Sequence, residues 1–154
     1  MQQTEREIGN MTRTITIARD FHWEMGHRLP FHEHGCANIH GHSYKLRVEL
    51  EGTCDEHGML MDYGEMKLLV MPIIDQLDHC FLCDEGDALM RNFLASTQMK
   101  YKIVPFPSTA ENLVHYLLEE LWMVFEPFRR ITKLRLRLRE TDVSYAECVH
   151  SRET

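Results

Sequence analysis

The chain has 154 residues, 44% hydrophobic and 27% charged, which fits one folded domain around one core and excludes a disordered or fibrous chain. Its formal charge of -7 disfavours nonspecific binding to nucleic acid or an acidic membrane. No apolar run approaches the roughly 20 residues that span a bilayer, the opening residues lack the apolar centre of a signal peptide, and five cysteines with no export signal read as reduced thiols, so a cytoplasmic protein is expected.

Residues 1–11 show no periodicity and read as a flexible tail, leaving residues 12–154 as a single catalytic domain. From Thr12 the pattern changes: Ile15 and Ile17 alternate with Thr14 and Thr16, predicting a first strand that continues toward Phe21 and Trp23. A histidine-rich stretch follows, with His22, His27, His32, His34, His40 and His42 close together. Tyr44, Leu46, Val48 and Leu50 then alternate with Lys45, Arg47, Glu49 and Glu51, a strand with one apolar and one charged face. Between Asp62 and Leu77 the period becomes helical, with Met66, Leu69, Val70, Ile73, Ile74 and Leu77 on one stripe and a kink expected at Pro72. A capping-box pattern, Ser108-Thr109-Ala110-Glu111, opens a second helix that stops at Pro127. Residues 131–139 alternate Leu134, Leu136 and Leu138 with basic residues, and a short fourth strand is expected around Ser144 to Val149. The order predicts an α+β layer: a four-stranded antiparallel sheet with two helices on one face. Its open edges call for closure by oligomerisation.

His40-Gly41-His42 opens the second strand, so both imidazoles point to one face, and His27 at the end of the first strand is placed to join them. Three neutral imidazoles without a fourth protein ligand suit a catalytic metal site with a position left for water or substrate, zinc by default. For any single histidine, a polar loop residue is the better reading; for the set it is not. His32-Glu33-His34 repeats the spacing where no alternation supports a strand and ranks second. Cys80-x-x-Cys83 lacks a second pair and reads as two packed thiols, and Cys54 and Cys148 read as structural.

Cys36 lies four residues before His40, close enough for its thiolate to serve as a base beside the metal without being a ligand. Asp78-His79 follows the first helix, where the carboxylate can orient the imidazole, although a helix-end cap explains the pair as well. Glu111 as a cap residue and Glu140 as a strand-end carboxylate have equally plain readings. A buried carboxylate would nonetheless suit the paired N–H donors of a guanidine-like ring edge.

The ordered motifs Gly26-His27-Arg28-Leu29, Cys36-x3-His40-Gly41-His42, Gly58-Met59-Leu60-Met61-Asp62-Tyr63, Leu77-Asp78-His79, Thr109-Ala110-Glu111-Asn112 and Glu140-Thr141 together resemble the 6-pyruvoyl-tetrahydropterin synthase and 6-carboxy-5,6,7,8-tetrahydropterin synthase family. The resemblance implies the tunnelling fold, in which subunits trimerise into a barrel and trimers stack into hexamers, with active sites at subunit interfaces. It implies Zn2+ on His27, His40 and His42, proton transfer by Cys36, Asp78 and His79, and a pterin held by Glu140 with help from Thr109, Ala110 and Glu111. The three-residue spacing between Cys36 and His40 looks like the bacterial carboxytetrahydropterin type of queuosine biosynthesis. Conversion of 7,8-dihydroneopterin triphosphate is therefore expected, with Arg28 among the candidates to receive the triphosphate. The alternatives are the pyruvoyl-forming synthase, which shares every site residue, and a non-enzymatic metal-binding protein, for which the many histidines speak. A nucleic-acid module is disfavoured because the basic residues 133–139 face acidic neighbours at 49 and 51.

Overall fold

The computed structural model describes residues 14–153; the predicted tail over residues 1–11 lies outside them, as do residues 12, 13 and 154. The first strand, β1, runs Thr14–His27 and pairs antiparallel along its whole length with β2, His40–Thr53. Both extend past the alternating segments read from sequence, because the histidine-bearing ends keep pairing beyond the last core leucine. A short 3-10 turn, Gly35–Ala37, lies in the loop between them.

Helix α1 spans Tyr63–Leu77, its start fixed by the Asp62 carboxylate, which accepts from the amides of Gly64 and Glu65. It runs as one element through Pro72, which lies on its exposed side. The carbonyl of Leu68, deprived of its donor there, belongs to a residue 77% exposed, so water can satisfy it. Three further elements follow that the sequence pattern had not separated: β3, Cys80–Asp84, helix α2, Ala88–Ala95, and β4, Tyr101–Val104. Helix α3 spans Ala110–Phe125, and β5, Ile131–Arg139, and β6, Tyr145–Ser151, complete the chain.

The sheet is six-stranded in the order β4-β3-β1-β2-β5-β6. Strands β1, β2, β5 and β6 form the antiparallel set expected from sequence. The expectation of four strands and two helices is corrected by β3 and β4, which join in parallel and make the sheet mixed, and by α2. They were hidden because each is too short to show a period, and β3 touches β1 only at Met25↔Cys80 and Gly26↔Phe81.

Along β2 and β5, Leu46, Val48, Leu50, Leu134, Leu136 and Leu138 are fully buried beneath α1 and α3. Each such leucine contributes on the order of 1.5–3 kcal/mol by leaving water. The opposite face is an ion-pair lattice, in which Arg47 meets Glu49 and Asp20, Arg135 meets Glu49 and Glu147, and Lys133 meets Glu51. These exposed pairs contribute at most about 1 kcal/mol each, so the helix-covered face holds the fold and the charged face keeps the sheet polar. Helix α2 instead closes a small separate cluster of Cys83, Met90 and Leu94 against Phe81. Among the described residues no helix is long and apolar enough to cross a membrane.

Two neighbours on β5 separate the contributions of these faces. In urea titrations Leu136→Ala is expected to lower the unfolding free energy by about 2–5 kcal/mol, whereas Arg135→Ala should cost no more than about 1 kcal/mol. Equal effects would mean that the charged face carries the stability.

Candidate metal centre

The β1–β2 register sets His27 directly opposite His40 and Met25 opposite His42. Because side chains alternate along a strand, all three imidazoles emerge on the helix-covered face, at the end where the apolar core stops. Their ligating nitrogens lie within 4.8 Å of one another, and among the described residues no other group of His, Cys, Asp or Glu does so. The ring centroids of His27 and His40 are 4.5 Å apart, and those of His40 and His42 are 5.0 Å apart. Gly41 between the strand-opening histidines suits the close approach of β1, since a Cβ there would stand 3.0 Å from the Met25 carbonyl.

Hydrogen bonds fix which nitrogen of each ring is free. His27 Nδ1 lies 2.7 Å from the Ser108 carbonyl, and His40 Nδ1 lies 2.8 Å from the Asn38 carbonyl. A carbonyl only accepts, so each Nδ1 carries the proton and each Nε2 keeps a lone pair for the centre. His27 is buried to 1% exposure and its Nε2 has no hydrogen-bond partner. A buried, unpartnered lone pair facing two further imidazoles is the arrangement a divalent cation with nitrogen preference would satisfy. Burial holds both His27 and His42 below the usual histidine range, which favours the neutral, ligating form.

Glu140, just past the end of β5, shares this face. Its Oε1 lies 3.9 Å from His27 Nε2 and accepts from the Tyr44 hydroxyl at 3.1 Å. Burial, with the Glu140 charge next, pushes the Tyr44 phenol far up, so Tyr44 remains a donor. Glu140 also lines a recess of about 220 Å³ with Ala110, Glu111 and Thr141. Thr109 is the residue that caps α3, its hydroxyl accepting from the Asn112 amide. Glu111 is thus one position short of a capping-box partner, and Ser108, read as the box's first residue, is buried and presents its carbonyl to His27.

The remaining candidates are not part of the ligand cluster. Cys36 sits half-buried in the 3-10 turn, its carbonyl accepting from the Leu29 amide at 2.7 Å, and its sulfur is outside the ligand cluster. Asp78 Oδ1 accepts from the Glu24 amide at 3.1 Å and stands 3.0 Å from His79 Nδ1. The Glu24 bond first, and His79 next, hold the Asp78 carboxyl below its usual range. His79 adopts φ +53°, a left-handed conformation uncommon for a residue with a side chain, and its amide donates to the Glu24 carbonyl at 2.7 Å. It lines a recess of about 410 Å³ with Glu24, Gly26, Gly41, His42 and Ser43. Glu24 and Ser43 point to the charged face, so the pair sits beside the face opposite the histidines.

His32 and His34 meet edge to face on an exposed loop, their ring centroids 5.9 Å apart, and among the described residues no third ligand joins them. Burial raises the Cys80 and Cys83 thiols above the usual range and takes Cys148 up to about 11, as expected of packed thiols. Arg28, a candidate for the triphosphate, is instead held by Asp87 through Nε–Oδ2 at 2.6 Å and Nη2–Oδ1 at 3.0 Å. Sequence reasoning missed Tyr44, Ser108 and Asn38. The legible signal was for Tyr44, which follows His42 by two residues and so shares its face.

The family profile described as 6-pyruvoyl tetrahydropterin synthase matches residues 16–151. A protein of Haemophilus influenzae named 6-carboxy-5,6,7,8-tetrahydropterin synthase is 32% identical over 139 residues, covering 85% of this chain and 96% of its own. One of Rickettsia bellii with the same name is 28% identical, covering 86% and 99%. The fold is similar to the crystal structure of 6-pyruvoyl tetrahydropterin synthase from Plasmodium vivax, with TM-score 0.75, 17% identity and coverage of 90% and 99%. It is equally similar to an uncharacterised protein of Wolinella succinogenes, with TM-score 0.74, 22% identity and coverage of 88% and 98%.

The shifted histidines give a pH test on metal-free protein. Their folded pKa lies below the unfolded value, so the unfolded chain takes up protons first as pH falls below about 6.5 and stability declines there. The urea midpoint should drop between pH 7.5 and 5.5, and drop less in His27→Gln/His42→Gln. An identical pH slope in both proteins would contradict the buried neutral cluster. Elemental analysis of His40→Ala should show most of the metal lost; full occupancy there, with His32→Ala emptying the site, would move the centre to the loop.

Proposed function

Because the chain belongs to the 6-pyruvoyl tetrahydropterin synthase family, we propose that it is the zinc-dependent lyase converting 7,8-dihydroneopterin triphosphate and water to 6-carboxy-5,6,7,8-tetrahydropterin, acetaldehyde and triphosphate. This reaction belongs to the cytoplasmic route to queuosine. The observation that carries the reading is the convergence of the three histidines and Glu140 on one face, with the His27 lone pair unpartnered. The product choice follows the names of the curated relatives and the three-residue spacing of Cys36 and His40.

His27, His40 and His42 would hold the ion, which would supply Lewis acidity toward the substrate side chain. Glu140 accepts N–H donors from the pterin edge; the Tyr44 hydroxyl uses one lone pair of Oε1 and keeps the carboxylate turned toward the ring site. Ala110 and Glu111 border the same recess and close it around the ring. Thr109 contributes through the helix start that its hydroxyl caps. Cys36 removes or returns a proton on the substrate side chain. His79 carries another: Asp78 accepts from Nδ1–H and leaves Nε2 to exchange protons.

Within one chain the Asp78–His79 pair borders the charged face, so the reading requires a second copy to bring such a pair to the histidine face. The free edges support that arrangement. Among the described residues, β1 has no partner on its β3 side beyond Met25 and Gly26, and β6 ends the sheet. Paired edge to edge, three copies would form the barrel of a trimer, and two trimers a hexamer.

Cys36→Ala should keep its zinc and bind pterin while turnover falls by about 10²–10⁴-fold, the usual effect of removing a positioned acid-base group. Glu140→Ala should retain zinc and lose pterin affinity. Zinc loss in Cys36→Ala would make the cysteine a ligand. Mass spectrometry of wild-type products should find acetaldehyde in step with triphosphate; triphosphate without acetaldehyde would assign the pyruvoyl-forming reaction instead.

A further inference from the structure

Resting on that reading of Cys36, we propose that Arg28, clamped by Asp87, is a positioning residue that seats the turn carrying Cys36 against the end of β1. Arg28 directly follows the proposed ligand His27, and alternation sends its side chain to the opposite face of the strand. There the guanidinium makes a bidentate pair with Asp87, whose side chain is 4% exposed. The remaining terminal nitrogen, Nη1, donates to the Ala37 carbonyl at 3.4 Å. The next residue, Leu29, donates its amide to the Cys36 carbonyl at 2.7 Å. Residues 28 and 29 thereby grip the consecutive carbonyls of 36 and 37.

The same segment is tied to the metal side. The Arg28 carbonyl accepts from the Ser108 hydroxyl at 3.3 Å, and the Ser108 carbonyl accepts from His27 Nδ1. One short stretch, His27 to Leu29, therefore sets both a ligand nitrogen and the turn that bears the proposed base. Asp87 gives the clamp a fixed origin, because its Oδ1 also accepts the Met90 amide at the start of α2. Helix α2 thus gains a role in the site through the Asp87 carboxylate at its start. A buried ion pair returns little net stability once its desolvation is counted, whereas removing one partner is costly, so its worth is in geometry more than in folding energy. A guanidinium occupied in this way is also poorly placed to bind triphosphate.

Arg28→Lys keeps the charge but loses the planar fork, and Asp87→Asn keeps the helix cap but weakens the clamp. In the zinc-loaded enzyme both should retain zinc and leave KM within about two-fold, while kcat falls by about ten- to a hundred-fold, the scale of a misplaced reacting group. The rate of Cys36 alkylation by iodoacetamide, followed by peptide mass, should change several-fold in both, and millimolar ethylguanidine should restore part of the turnover of Arg28→Ala. A raised KM with unchanged kcat would overturn the proposal by making Arg28 a substrate contact. So would unchanged kcat together with an unchanged alkylation rate. Should Arg28→Lys fail to fold, Asp87→Asn decides between these outcomes by the same readings. Undiminished turnover in Cys36→Ala would instead sink the acid-base reading of the cysteine, and the alkylation rates would still decide whether Arg28 and Asp87 seat the turn.

Discussion

The register of β1 on β2 is the constraint from which the site follows. With His27 opposite His40 and Met25 opposite His42, three imidazoles come to one face over two adjacent strands. A slip by one residue would turn each side chain of the moved strand to the other face. The histidines would then separate across the sheet and the leucines of β2 would face water. The apolar core that holds the register therefore also holds the ligand geometry.

Tyr44 marks the junction between these roles. Its ring stacks on Trp23 at 5.3 Å within the core, while its hydroxyl reaches Glu140 at the mouth. Beyond it the residues are polar, and each of the first two histidines is oriented by a backbone carbonyl from a different part of the chain. His27 depends on Ser108 at the entry to α3, so the helix that covers the sheet also sets a tautomer in the centre. The charged face is organised differently: its ion pairs are exposed and individually weak. They leave that side polar and matched in charge.

Sequence alone made the long elements legible, because the alternation in β2 and β5 and the helical stripes of α1 and α3 each repeat often enough to reveal their period. The histidine set was legible for the same reason, since His40 and His42 stand at strand spacing. The segment from Cys80 to Val104 was opaque. Cys80-Phe81-Leu82-Cys83 is a short apolar run with no alternation, and its parallel pairing to β1 depends on tertiary placement. Asp87 ahead of Leu89, Met90, Phe93 and Leu94 was the available cap signal for α2. Hydrogen bonds to backbone carbonyls, such as those of Ser108 and Asn38, leave no mark in residue identity, so the groups that orient the imidazoles could not be read. Nor could the position of Asp78–His79, which the positive φ of His79 and the hydrogen bonds to Glu24 fix beside the charged face.

The most direct test of the account is X-ray absorption at the zinc edge of the purified, metal-loaded protein. Three imidazole ligands with an open position predict a first shell of nitrogen and oxygen scatterers at about 2.0–2.1 Å, with the multiple-scattering signature of about three histidine rings. A sulfur scatterer at about 2.3 Å would contradict it, because it would place a cysteine on the metal and make the centre a closed structural site.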